Sequence, residues 1–208
     1  MSYDIELVNK VTGKTAKMKH PQYVRGGTVP ARVNPVTKEL EQAEQVEAHI
    51  NITYNYSHYY YEATDGDIRF AHDEVSAYYA DGTQGPVETE YGIRGLYGKT
   101  PSESIPILVD MIEKIKSKYT DENGEWIDTE RTKTVYYKNG KEIKERNILD
   151  AILNHDYDRK EEVAYSVNEG DTSRYYMATA ANAIMALEQM MVMATDNLTE
   201  KNIVWDGD

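Results

Sequence analysis

The residues best suited to chemistry stand together in one loop. In Tyr91-Gly92-Ile93-Arg94-Gly95-Leu96-Tyr97-Gly98-Lys99-Thr100, three glycines are each separated by two residues, and two cations lie among them. Glycine lets backbone amides approach a ligand closely, and a helix starting at Thr100 favours an anion at its N-terminus. Gly98-Lys99-Thr100 ends like the phosphate loop G-x-x-x-x-G-K-[ST]. The register fails, because the first glycine of that motif falls on Ile93 and Gly92 stands one residue early. The chemistry predicted is the holding of a phosphate or carboxylate by Arg94, Lys99 and the amides around Thr100. A Gly-rich connection whose Arg94 makes a structural salt bridge fits the same residues.

Two further stretches could recognise a ligand. If Ile50, Ile52 and Tyr54 of one strand face the core, Asn51, Thr53 and Asn55 share its other face. Their amides can both donate and accept, as recognition of a base or sugar requires, although a neighbouring strand would satisfy them equally well. Tyr54, Tyr56 and Tyr97 offer rings for stacking. Arg25-Gly26-Gly27-Thr28 makes a small anion nest, a pattern that ordinary turns share. The candidate ligand-binding residues are therefore Arg25, Asn51, Tyr54, Asn55, Tyr56, Arg94, Tyr97, Lys99, Thr100 and Glu103.

Catalysis has less to work with. There is no cysteine, and His20, His49, His58 and His155 show no metal-ligand spacing around the His72-Asp73 pair. His155-Asp156-Tyr157-Asp158 runs into Arg159-Lys160-Glu161-Glu162, which suits a solvated face better than a cation site. No Gly-x-Ser-x-Gly elbow and no His-Glu-x-x-His helix occurs. The expectation is a binding protein and not an enzyme, with no catalytic residue, metal or cofactor.

The elements that must position these residues follow from periodicity. Tyr3–Val8 alternates as a strand, and Thr15–Lys19 can pair back across a turn at Val11–Lys14. His20 to Lys38, with three prolines and Gly26-Gly27, predicts a loop. A period-2 series of Val46, Ala48, Ile50, Ile52 and Tyr54 predicts a core strand. A short helix is expected near Asp73–Tyr79. Thr100, Pro101 and Glu103 spell a capping box with proline at the first helical position. The helix they open, to about Tyr119, shows Ile105, Leu108, Val109, Ile112 and Ile115 on one face. Asn139-Gly140 between Thr134–Tyr137 and Glu142–Lys144 predicts a hairpin. Asn147–Asn154 suits a short helix. Thr172–Thr195 suits a long one, with Tyr176, Ala180, Ala183, Leu187, Met190, Met191 and Ala194 inside and Met185 and Met193 beside them. Trp205 anchors the end of the chain. The expected architecture is one α+β domain over 1–208, with antiparallel hairpins and sheet packed on helices at about 100–119 and 172–195. Insertions are expected at 62–91 and 121–171.

Composition narrows the partners. Of 208 residues, 23 are Lys or Arg and 36 Asp or Glu, a net charge of −13 that argues against binding nucleic acid or an anionic membrane. No apolar run approaches the roughly 20 residues of a membrane span, and the opening MSYDIELVNK has no signal-peptide stretch. Eighteen tyrosines beside a single phenylalanine predict a modest core with wet aromatic surfaces.

The blocks Asn51-Ile52-Thr53-Tyr54-Asn55-Tyr56-Ser57, Gly92 to Thr100 with Glu103-Ser104-Ile105-Pro106, and Trp205-Asp206-Gly207-Asp208 resemble a phage-encoded family of small cytosolic proteins. The resemblance is dense only in those blocks and carries nothing over at 62–91 or 121–171. It implies a phage accessory protein acting in the cytoplasm of an infected bacterium, and it supplies no reaction. The function expected is counter-defence: a homo-oligomer that binds and sequesters a nucleotide-derived immune signal, of the cyclic or modified ADP-ribose class, without cleaving it. Two alternatives are an acidic nucleic-acid mimic that inhibits a host defence protein and a hydrolase of such signals.

Overall fold

Alternation in the first residues builds the central strand. In the computed structural model, which describes residues 2–24, 30–66, 77–78, 84–85 and 91–207, β1 (Ser2–Asn9) buries Tyr3, Ile5 and Leu7 completely. A left-handed turn at Gly13 (φ 64°) brings back β2 (Lys14–Thr15), whose Thr15 lies opposite Val8. β3 (Lys17–Gln22), β4 (Ala31–Val33), β5 (Leu40–Gln42) and β6 (Gln45–Glu47) follow, β3 pairing with β6 and β4 with β5. The stretch from His20 to Lys38 is therefore not all loop. Pro21 is tolerated in β3 because the β3–β6 register is irregular there.

β7 (His49–Thr53) runs antiparallel to β1 with Ile50 opposite Ile5 and Ile52 opposite Tyr3. The single strand expected from Val46 to Tyr54 is interrupted at Ala48 and stops at Thr53, and Val46 is exposed. Thr53 ends β7 by accepting the Asn55 N–H at 3.3 Å, which starts a 3-10 turn over Tyr54–Tyr56. α1 (Ser57–Ala63) then buries Tyr59, Tyr60 and Tyr61. β8 (Ala77–Tyr78) pairs with β9 (Gln84–Gly85). The helix expected near Asp73–Tyr79 otherwise lies outside the described residues.

α2 (Pro101–Tyr119) begins at the capping box read from the sequence. Its buried face holds Leu108, Met111, Ile112, Ile115 and Tyr119, while Val109, expected inside, is exposed. After β10 (Asp128–Lys138), β11 (Lys141–Glu142), α3 (Glu145–Leu153) and β12 (Arg159–Asn168) come α4 (Ala180–Asp196) and β13 (Ile203–Gly207). β13 pairs with β1 on the side away from β7, Trp205 opposite Leu7. Tyr59, Tyr60, Leu108, Met111, Leu187, Met190 and Trp205 meet with the β1 apolar row in one core, and the fold class is α+β.

The chain divides into two compact units, Met1–Trp126 with Gly170–Asp208, and Ile127–Glu169. In the second, β10 and β12 pair from Asp128 opposite Asn168 to Tyr137 opposite Arg159. Asn139 (φ 51°) and Gly140 (φ 72°) turn β10 into β11, as a two-residue hairpin with positive φ at both positions requires. The charged run Arg159–Glu162 opens β12 with Arg159, Lys160 and Glu162 exposed. The fully buried Glu169 accepts hydrogen bonds from Thr129 and, at 2.7 Å, from Arg131. In the first unit, Gly170 lies against the Trp126 ring so closely that a Cβ would overlap it.

Candidate functional site

The start of α4 shapes the site. Thr179 has extended backbone, and its hydroxyl accepts the Asn182 N–H at 3.3 Å and donates to the Asp171 carbonyl at 2.8 Å. Asn182 is fully buried, and its Nδ2 faces the carbonyls of Arg174 (3.0 Å), Met177 (3.2 Å) and Asp171 (3.3 Å). A buried amide spent on three backbone carbonyls dictates the path of the chain between them. The Asp171 carboxylate takes the Ser173 N–H at 2.8 Å, and the backbone and hydroxyl of Ser173 hold it below the ordinary carboxylate range. These bonds keep 171–178 out of the helix. The long helix expected from Thr172 therefore begins eight residues later, and Tyr176 leaves the buried stripe.

Tyr175 and Tyr176 are instead 44% and 49% exposed, edge to face with ring centroids 5.9 Å apart. Arg174 Nη1 lies 3.3 Å from the Tyr176 hydroxyl. From the other side, Asn55 Nδ2 donates to the Tyr176 carbonyl at 2.7 Å and the Tyr59 hydroxyl to that of Ala178 at 3.0 Å. The Tyr60 hydroxyl reaches the Ala183 carbonyl at 3.1 Å. Tyr56 is buried beneath, and burial, helped by Tyr175, raises its phenol well above the ordinary tyrosine range. The result is an aromatic corner with two open phenols, one guanidinium and a fixed backbone. Such a surface can stack on a planar ring and bond its polar edge.

The sequence-derived candidates divide between this corner and other places. Tyr54, half-buried, packs edge-on to Tyr3 with centroids 4.5 Å apart, and the Arg94 guanidinium lies 5.7 Å from the same Tyr3 ring. Tyr54 and Arg94 thus meet at Tyr3, while Asn55 reaches the corner through the Tyr176 carbonyl and Tyr56 lies beside Tyr175. Asn51 bonds within the sheet, its Nδ2 meeting Ser2 Oγ at 2.8 Å and Asp4 Oδ1 at 2.9 Å. Because β7 ends at Thr53, the shared face of Asn51, Thr53 and Asn55 does not form.

Tyr97 lies over Gly207, where a Cβ would stand 2.6 Å from its hydroxyl. The Gly98 N–H and Lys99 carbonyl bond to Trp205 at 2.9 and 3.0 Å, which docks this loop on β13. Glu103 Oε2 takes both the Thr100 N–H (2.8 Å) and the Thr100 hydroxyl (2.7 Å), bonds that hold the Glu103 carboxyl below its ordinary range. The N-terminus of α2 thereby carries its own carboxylate. Arg25 lies outside the described residues.

Sequence reasoning missed Arg174, Tyr175, Tyr176 as an exposed residue, and Asn182. The available signal was Thr179-x-x-Asn182, a cap that competes with the earlier Thr172-Ser173. No protein-family model, curated protein or solved structure matches this chain. Among the described residues, no group of three or more His, Cys, Asp or Glu could hold a metal ion, and no helix is long and apolar enough to cross a membrane.

Proposed function

We propose that the protein captures a nucleotide-type small molecule at the corner of Asn55, Arg174, Tyr175 and Tyr176 and holds it without cleaving it. The observation that supports this reading is the exposed tyrosine pair, fixed from beneath by the buried Asn182 amide. Stacking a base on such a ring is worth about 1–3 kcal/mol, and a prepared platform avoids the cost of ordering one on binding. Arg174 supplies a charge-assisted bond to a phosphate. In a phage accessory protein the captured molecule is an immune signal of the cyclic or modified ADP-ribose class, withheld from its receptor in the host cytoplasm. A second copy of the chain closes over the exposed rings.

The test is thermal unfolding against a panel of nucleotides and ADP-ribose-type signals, repeated on Tyr176→Ala and Arg94→Ala. A ligand at a hundred times its Kd adds about 2.7 kcal/mol. The expected result is a shift of several degrees with one signal, lost in Tyr176→Ala, with the signal recovered intact after heating. Breakdown of the signal would make the protein a hydrolase. A second reading, the acidic mimic, draws on charge: Leu7–Lys38 holds seven Lys or Arg and no acid, so the rest of the chain, sixteen cations against 36 acids, carries −20. That reading takes over if no signal shifts the melt and a host nucleic-acid-binding protein is inhibited in a salt-sensitive way.

A further inference from the structure

The cationic segment Leu7–Lys38 builds a feature of its own at the other end of α4. β1, β2, β3 and the chain after α4 enclose a groove of about 280 Å³ lined by Lys14, Lys17, Lys19, Asn9, Thr12 and Asn197, among others. Glu200 is the one acid among its described lining residues, and it is already paired with Lys19 at 3.2 Å. Among the described residues Lys14 and Lys17 are paired with no carboxylate; Glu47 stands opposite Lys17 across the β3–β6 pair without bonding it. No aromatic side chain lines the groove. Cations near the C-terminus of a helix are favoured by its dipole, which accounts for Lys19 beside α4. It does not account for Lys14 and Lys17 converging from β2 and β3 in a chain of net charge −13.

We infer that this groove is a second binding site, for a small anion carrying two or more linked phosphoryl groups. The two ammonium groups without a carboxylate partner, Lys14 on β2 and Lys17 on β3, with Lys19 beside them, match a diphosphate or triphosphate. The Asn9 amide and the Thr12 hydroxyl offer neutral donors; the Asn197 amide is spent on the Met193 carbonyl at 3.1 Å. With no ring to stack on, the groove reads phosphate and not base. It is separate from the aromatic corner, because the 17-residue α4 sets its two ends ~26 Å apart.

The experiment is titration calorimetry of the full chain with inorganic pyrophosphate and tripolyphosphate, with sodium sulfate at matched ionic strength as the control. One saturable site per chain is expected, tighter for tripolyphosphate than for pyrophosphate. Lys14→Gln and Lys17→Gln should each weaken it about tenfold, and Tyr176→Ala should leave it unchanged. The two lysines are exposed, so unfolding curves should place both variants within about 0.5 kcal/mol of the parent. Unchanged binding in the Lys14→Gln, Lys17→Gln double variant, or equal heat from sulfate, would overturn the inference. So would a loss of stability in both variants with no saturable binding in the parent, which would make the lysines a balance to the α4 dipole. Binding of single-stranded oligonucleotides that tightens with their length would replace the small-anion site with a backbone-tracking surface.

Discussion

At its N-terminal end α4 is held by a hydroxyl and an amide, Thr179 and Asn182, both fully buried and both spent on neighbouring backbone groups. At its C-terminal end it is held through carboxylates. Asp196 takes the His20 N–H at 2.8 Å and its Nδ1 at 2.5 Å, and Lys19 bonds Glu200 and Thr199, both at 3.2 Å. Neutral bonds in a dry site are insensitive to salt and pH and allow one loop path. An exposed ion pair such as Lys19–Glu200 is weak, screened and adjustable, and the sheltered Asp196 carboxylate beside it answers to pH. The end that presents tyrosines is thus set by shape, and the end that presents lysines by charge.

The strongest way to break this contrast is Asn182→Ala. It leaves the part-buried carbonyls of Asp171, Arg174 and Met177 without their donor, and the expected loss is about 2 kcal/mol, read in urea or thermal unfolding. Nucleotide binding at the corner should fail with it while pyrophosphate binding persists. Thr179→Ala should cost about 1–2 kcal/mol, as the loss of a buried helix cap does, with no dependence on added salt in the same unfolding assay.

Acid separates the two ends next. Burial opposes ionisation of Asp196, but the bonds from the His20 backbone and imidazole outweigh it and hold the carboxyl below its usual 3.8. A depressed folded-state pKa gives stability that is complete above the unfolded value and fades as the pH falls through the folded one. Asp196→Asn should therefore be less stable than the parent at neutral pH, with the gap closing below about pH 4. A gap that persisted in acid would contradict a stabilising role for the ionised Asp196 carboxylate. The smallest effect belongs to Lys19→Ala: less than about 1 kcal/mol at low salt and indistinguishable from zero near 1 M sodium chloride.

Local signals were legible in the chain itself. Thr100, Pro101 and Glu103 cap α2, and Asn139-Gly140 turns the β10–β11 hairpin, because each motif is closed by residues within four positions. The start of α4 was not legible, since helical spacing runs on through Tyr176 and only the buried amide of Asn182 breaks it. The loop before α2 reads as ligand-facing in the sequence because its partner, β13, lies about a hundred residues on. Asn51 shares that history, with its partners Ser2 and Asp4 brought in by strand pairing. The lysine groove failed for another reason: a net charge of −13 averages away a stretch with no acid.

The close approach of Gly170 to Trp126 makes the second unit topologically removable. The chain departs from the first unit and rejoins it at neighbouring points, and the 43 residues between, Ile127–Glu169, form a compact unit of their own. A short linker from Trp126 to Gly170 would close the first unit's chain without rethreading any strand of its sheet, since β1, β2, β7 and β13 all lie outside the 43 residues removed.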